Sequence, residues 1–432
     1  MTAPARRASF EILQSVEIGG GFSDEALHSE RVGRLRPVDR NLTTEIVYGT
    51  LRWRGWLDHL LAATVASRWN DVDPRLRILL RMSLYQMARM SRLPDHAIIN
   101  DAVELAARGF KSNVRGFVNA VLRRLSRERP WSAEGFDAGL PAWVRVSMPR
   151  WLWRRWRTRF GDQQAESFAL SLNRPPARAF RFTEGNAAGS PPEGAEPSDI
   201  VPGAYVLRGD VPAGAPAEPA CVRFQDEASQ LVPYLLGPSP GMRVWDVCAA
   251  PGGKTAILLE LVGGGGVVVA SDASLARLAM MRDRLPKPPG VRCELLAADA
   301  TRSAPFLGSF DAVLVDAPCS GLGTLRRNPE IKWRFRPARL ELLQKAQGMI
   351  LEGAAGAVRP GGKLLYATCS TEPEENEEVV DAFLSRHEEF RLARPQYPPG
   401  VERFLDRRGM LRSFPCERLW DGFFAALMVR AA

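Results

Sequence analysis

At 432 residues the chain is too long for one ordinary core, so two or three domains are expected. A formal net charge of +9 suits a polyanionic partner without identifying one. The absence of any run of about 18 uninterrupted apolar residues, and a polar, charged beginning, MTAPARRASFEILQSVE, argue against a membrane span and a secretory signal peptide.

From about residue 4 to 129, apolar residues recur at three- and four-residue spacing in segments such as NLTTEIVYGTLRWRGWLDHLLAA and PRLRILLRMSLYQMARM, which predicts an all-helical first domain. Its punctuation agrees: Asp39 near one helix start, Pro74 opening the next, a break at Leu93-Pro94, and Asn113 before VRGFVNAVLRRL. The span holds 21 Lys/Arg against 14 Asp/Glu, most of the chain's excess charge. Arg123, Arg124 and Arg127 fit a solvated face as well as a binding face. PAWVRVSMPRWLWRRWRTRF follows, with six arginines, four tryptophans and no acid; that mixture suits phosphate contact with base stacking, and equally a tryptophan core. Between Asn173 and Glu218, RPPARAFRFT reads as a strand and EGNAAGSPPEGAEPSD as a flexible surface loop, together a small α+β module. VRFQDEASQLVPYLL then reads as a short strand and a helix.

From Gly241 onward strands and helices alternate: VWDVC, VVVASD, CELLAADA, FDAVLVDAP and GGKLLYATCS are the strands, predicting a parallel sheet covered on both faces. Asp272, Asp299, Asp316, Cys319 and Cys369 all fall at strand ends, the edge where open α/β sheets bind ligands. VWDVCAAPGGKT is a buried strand breaking into a glycine turn and opening a helix, where Gly252 and Gly253 permit close backbone approach and amides from Lys254 onward face a polar group. It is no P-loop, because Cys248 stands where GxxxxGK[ST] needs glycine; a plain structural turn is the alternative. Asp272, about 20 residues on, occupies the place of a ribose-binding carboxylate.

The six cysteines, at 221, 248, 293, 319, 369 and 416, form no CxxC pair, and there are only four histidines. A zinc site or disulfide framework is not expected, and free thiols point to the cytoplasm. Singly, Cys319 and Cys369 read as inert buried thiols. Together, beside a nucleoside-type site, they suggest methylation at a pyrimidine carbon. There a thiolate adds to C6, a carboxyl group near N3 supports the developing charge, C5 attacks a sulfonium methyl, and a second group helps remove the C5 proton.

The chain resembles the RsmB (Sun/Fmu) family of bacterial 16S ribosomal RNA cytosine-C5 methyltransferases. The resemblance rests on LTTEIVYGTLRWRGWLDHLL, LPDHAIINDAVELA, GFVNAVLRRL, FQDEASQL, DVCAAPGGKT, DAPCSGLGTLRRNPEIKWR, LYATCSTEPEENEEVV and DGFFAALMVR, spread over almost the whole chain. It implies a multidomain protein: an all-α NusB-like RNA-binding domain (1–135), linker helices with a small RRM-like or ferredoxin-like α+β module (136–225), and an α/β Rossmann-like class I methyltransferase domain (226–432). It further implies S-adenosylmethionine as cofactor, held by Cys248, Ala249, Ala250, Pro251, Gly252, Gly253 and Lys254, with Asp272 on the ribose, Asp299 by the adenine and Asp316 near both methyl donor and base N3. In this family Cys369 would be the covalent nucleophile and Cys319 would aid product release; DNA cytosine-C5 enzymes attack with the Pro-Cys cysteine and lack the other. The partner implied is 16S rRNA, free or in an assembling small subunit, and the protein is expected to be a monomer. Three features depart from the family pattern: Ser274 replaces a second acid after Asp272, residues 263–266 are four glycines, and the middle module matches least. The same chemistry on transfer RNA or another ribosomal site, and a non-catalytic RNA-binding assembly factor, are the alternatives.

Overall fold

Apolar side chains at helical spacing fold the N-terminal third of the chain into helices around one core. In Pro74–Arg89 the Asp73 carboxylate accepts the Arg75 amide at 2.8 Å and Pro74 begins the first turn, while Leu76, Leu79, Leu80 and Leu84 are buried. Arg81, inside the same helix, is buried with two counter-charges, donating to Asp58 at 2.6 Å and Glu17 at 2.7 Å. Helices Pro37–Arg52, Arg54–Thr64, Asp95–Gly109 and Val114–Glu128 contribute to the same core.

The computed structural model describes residues 2–90, 93–111, 113–183, 191–207, 222–302, 306–414 and 420–432. These divide into two units. Among the described residues, the first holds those of 2–175 and 325–334, and the second those of 176–207, 222–324 and 335–432. The late decapeptide 325–334 is bound into the helical unit by Lys332, whose buried amine donates to the Arg52 and Ser147 carbonyls at 2.9 and 2.8 Å.

In helix Arg150–Phe160, Leu152, Trp153 and Trp156 are buried, and the Trp156 ring lies 4.3 Å from that of Phe168. These two tryptophans are therefore core rather than stacking platforms for bases, and the exposed cations of the helix are Arg150, Arg154 and Arg157. Periodicity in the segment marks the inward face, and the arginines take the rest of the helix.

The second unit contains two sheets. Strands β1 (Arg178–Phe182), β2 (Ala195–Pro197), β3 (Ala204–Leu207) and β4 (Val222–Phe224) form an antiparallel sheet in the order β2-β3-β1-β4. Residues 195–197 were expected in a loop; they are an edge strand, where Pro197 leaves no ladder donor missing toward solvent. The stretch of that loop at 184–190, together with Cys221 and Cys416, lies outside the described residues.

The large sheet comprises β5 (Arg243–Asp246), β6 (Val267–Asp272), β7 (Arg292–Ala297), β8 (Phe310–Asp316), β9 (Val358–Thr368), β10 (Phe390–Leu392), β11 (Leu411–Arg412) and β12 (Phe424–Arg430), in the order β10-β12-β9-β8-β5-β6-β7, with β11 on β12. The five strands β5 to β9 pair in parallel as a Rossmann-like core. The sheet is nevertheless mixed, because β12 runs antiparallel to β9 and β10. No α-helix among the described residues separates β10 from β12, so the chain returns without the crossover that parallel pairing needs. Alternation divides the two faces: Val244, Ala312, Leu314 and Leu365 join one core layer, and Trp245, Val313, Val315 and Leu364 the other.

Candidate active site

Strand register brings the expected site residues to one edge. Asp316, ending β8, lies opposite Ala367 of β9, so the turns that carry Cys319 and Cys369 leave from adjacent strand ends. Asp246 ends β5 opposite Leu314, and Asp272 ends β6.

After β5 the chain turns through Cys248–Gly252 into helix Gly253–Val262. Gly252 has φ +100°, and a Cβ there would stand 2.7 Å from Met281 Cγ, so both backbone and space demand glycine. No side chain caps the helix that follows. Asp246 is buried beneath the turn, with Oδ2 accepting from Thr255 Oγ1 at 2.6 Å and Oδ1 without a hydrogen-bond partner. Burial, with Asp316 and Asp272 nearby, pushes its carboxyl up to about 7 despite the Thr255 bond. Burial and those same carboxylates also push the Cys248 thiol up.

Asp272 Oδ1 accepts the Ser274 amide at 2.9 Å and the Arg277 guanidinium at 2.7 Å. Ser274, the departure from the family's second acid, instead caps helix Leu275–Arg282 through the Arg277 amide. Asp299 is exposed, its Oδ1 accepting Thr301 N and Oγ1, and these bonds hold its carboxyl below the ordinary value.

Lys254 donates to Asp316 Oδ2 at 2.6 Å, and its ammonium stands 5.2 Å from the Phe423 ring centroid. Burial lowers this lysine, but Asp316, with Cys369 and Asp246, outweighs it and raises it above its ordinary 10.5. The pairing of Lys254 with Asp316 was not legible in the sequence, since 62 residues separate the two.

Cys319 Sγ and Cys369 Sγ are 3.1 Å apart. The hydrogen bond to Cys369, then burial, hold the Cys319 thiol well above its ordinary value. The two turns are packed backbone to backbone: Gly323 N donates to Cys369 O at 3.0 Å, and a Cβ on Gly323 would stand 1.9 Å from the Gly422 carbonyl oxygen. Behind them lies Glu375, fully buried and bonded to Ser320 and Ser370. Sequence reasoning gave it no role, because TEPEENEE has the look of a solvated acidic run.

Residues 233–429 match the family model described as 16S rRNA methyltransferase RsmB/F, and residues 3–127 match that of the NusB family. The chain is 33% identical to the probable ribosomal RNA small subunit methyltransferase B of Bacillus subtilis, over 98% of each chain. It is 34% identical to the ribosomal RNA small subunit methyltransferase B of Pseudomonas putida, covering 99% of this chain and 98% of that one. The crystal structure of the protein PH0851 superposes over 99% of both chains with a TM-score of 0.79 and 28% identity.

Proposed function

The chain belongs to the RsmB/F family of 16S rRNA methyltransferases, and from that premise we propose that it methylates C5 of one cytidine in 16S ribosomal RNA, in the cytoplasm, using S-adenosylmethionine. The observation that carries the proposal is the contact of two thiols, Cys319 and Cys369, at adjacent strand ends beside Asp316. A non-catalytic scaffold has no use for that arrangement.

The donor set suits the cofactor. Asp272, at the end of β6, would take the ribose hydroxyls, and Asp299 would lie by the adenine. The turn Cys248, Ala249, Ala250, Pro251, Gly252, Gly253 and Lys254 would line the amino-acid end, with uncapped helix amides facing its carboxylate. When bound, the cofactor supplies a methyl group on a positively charged sulfur.

The chain's own residues do the rest. Cys369 adds to C6 of the base, and Asp316, steadied by Lys254, hydrogen-bonds at N3 to support the charge that gathers there. Cys319 starts protonated, held there chiefly by its bond to Cys369. Once Cys369 is bonded to carbon, that restraint is gone and Cys319 releases its proton to solvent water. It then takes the C5 proton while the Cys369–C6 bond breaks and the C5–C6 double bond re-forms. The helical unit, carrying exposed Arg123, Arg124 and Arg127, would supply salt-sensitive RNA binding.

Bisulfite sequencing of total RNA from cells with and without the gene tests the reading. Loss of one protected cytosine in 16S ribosomal RNA is expected. Loss at a transfer RNA cytosine instead would move the substrate, and no change at any cytosine would overturn the enzyme.

A further inference from the structure

We propose that Glu375 is a positioning residue for both cysteines, a single buried carboxylate that sets the spacing of the Cys319 and Cys369 turns; the role rests on the two-cysteine reading above. Its Oε1 accepts the Ser320 amide at 2.7 Å and Gln347 Nε2 at 3.1 Å, while Oε2 accepts the hydroxyls of Ser320 and Ser370. Ser320 directly follows Cys319, and Ser370 directly follows Cys369. One side chain therefore ties together the residues next to both thiols.

The tie is itself anchored. Glu375 O accepts the Tyr366 hydroxyl at 2.6 Å, fixing it to β9. Its neighbour Asn376 accepts from Thr368 Oγ1 at 2.6 Å and donates to Ser370 O at 3.0 Å, so bonds reach the residues on both sides of Cys369. Gln347 also donates to Pro318 O at 3.0 Å, just before Cys319.

Four hydrogen bonds from neutral donors fill the lone-pair sites of a carboxylate. Glu375 thus has no capacity left for proton transfer in the reaction, and its burial as an acid is met by geometry that no hydrophobic replacement reproduces. The amide of Gln has the same volume, yet it exchanges an acceptor of two hydroxyls for a donor. That makes Glu375→Gln a test of the bonds rather than of packing.

The readout is the proximity of the thiols in the full-length protein without RNA. Diamide takes two electrons and two protons from a thiol pair, becoming the hydrazine as the S–S bond forms, and the rate is followed by mass spectrometry. The wild type should form a disulfide between 319 and 369 quickly, and Glu375→Gln should slow it about tenfold or more, with kcat falling about 10²-fold and KM for RNA unchanged. Ser370→Ala should delay covalent adduct formation, and Ser320→Ala should prolong the adduct. These single-tie variants decide the matter if Glu375→Gln fails to fold. Wild-type disulfide and turnover rates in all three variants would overturn the proposal. A Cys369→Ala variant that stays active would overturn the two-cysteine reading instead, leaving the thiol-pairing result to stand or fall by itself.

Discussion

Lys254 and Asp316 form an ion pair of 2.6 Å, with side chains 11% and 27% exposed, at the mouth of two adjacent strands. In the proposed reaction the ammonium would hold the carboxylate in place for the base. Lys254→Met keeps most of the aliphatic stem and removes the charge. It should lower kcat about 10²- to 10³-fold, as loss of a preorganised charge partner does, with RNA affinity by filter binding nearly unchanged. An unaltered kcat would remove Lys254 from the reaction.

The two cysteines should separate by when they act. Cys369→Ala should abolish both turnover and any covalent RNA adduct on denaturing gels. Cys319→Ala should accumulate the adduct, because the C5 proton then has no nearby thiolate to accept it. Adduct formation by the Cys369→Ala protein would exchange the two roles.

Much of this edge was legible because its parts are local. The turn DVCAAPGG, the strand-ending Asp272 and Asp316, and Cys369 just after β9 each follow an apolar run with clear ends, and the parallel direction of those strands brings them to one edge of the sheet. What the sequence hid depends on long-range partners. Lys254 meets Asp316, Glu375 meets Ser320, and Lys332 is buried against Arg52, all across more than 50 residues. Direction was hidden too: FFAALMVR has the same apolar pattern whether it pairs parallel or antiparallel, and only the missing crossover decides it. In Arg150–Phe160, spacing alone left the tryptophans undecided between core and surface until Trp156 was found against Phe168.

Asp246 makes stability depend on pH. Its carboxyl rises from an ordinary 3.8 to about 7 on folding, chiefly through burial. Between those values the unfolded chain has released the proton while the folded chain keeps it, so stability falls as pH rises through the window and levels off above it. The drop is at most about 4 kcal/mol for a shift of this size. Asp246→Asn preserves an acceptor for Thr255 and cannot ionise, so its melting temperature should decline less than the wild type's between pH 5 and pH 8. Parallel declines would show that Asp246 is not the source.

Asp272 tests the cofactor side without touching the RNA chemistry. Its Oδ1 is already engaged by the Ser274 amide and by Arg277, an arrangement that fixes the carboxylate in place at the end of β6. Asp272→Asn retains the shape but weakens acceptance from a ribose hydroxyl and loses the charge partner of Arg277. Hydrogen bonds to a charged group contribute about 1.5–3 kcal/mol, so the Kd for S-adenosylmethionine should rise about 10- to 100-fold. Saturating cofactor should restore kcat to near the wild-type value, because Cys369, Cys319 and Asp316 are untouched. Calorimetric titration with the cofactor checks the first expectation and steady-state kinetics the second. An unchanged Kd would remove Asp272 from the cofactor site, whereas a kcat that stays low at saturation would mean that Asp272 also orients the methyl group for transfer.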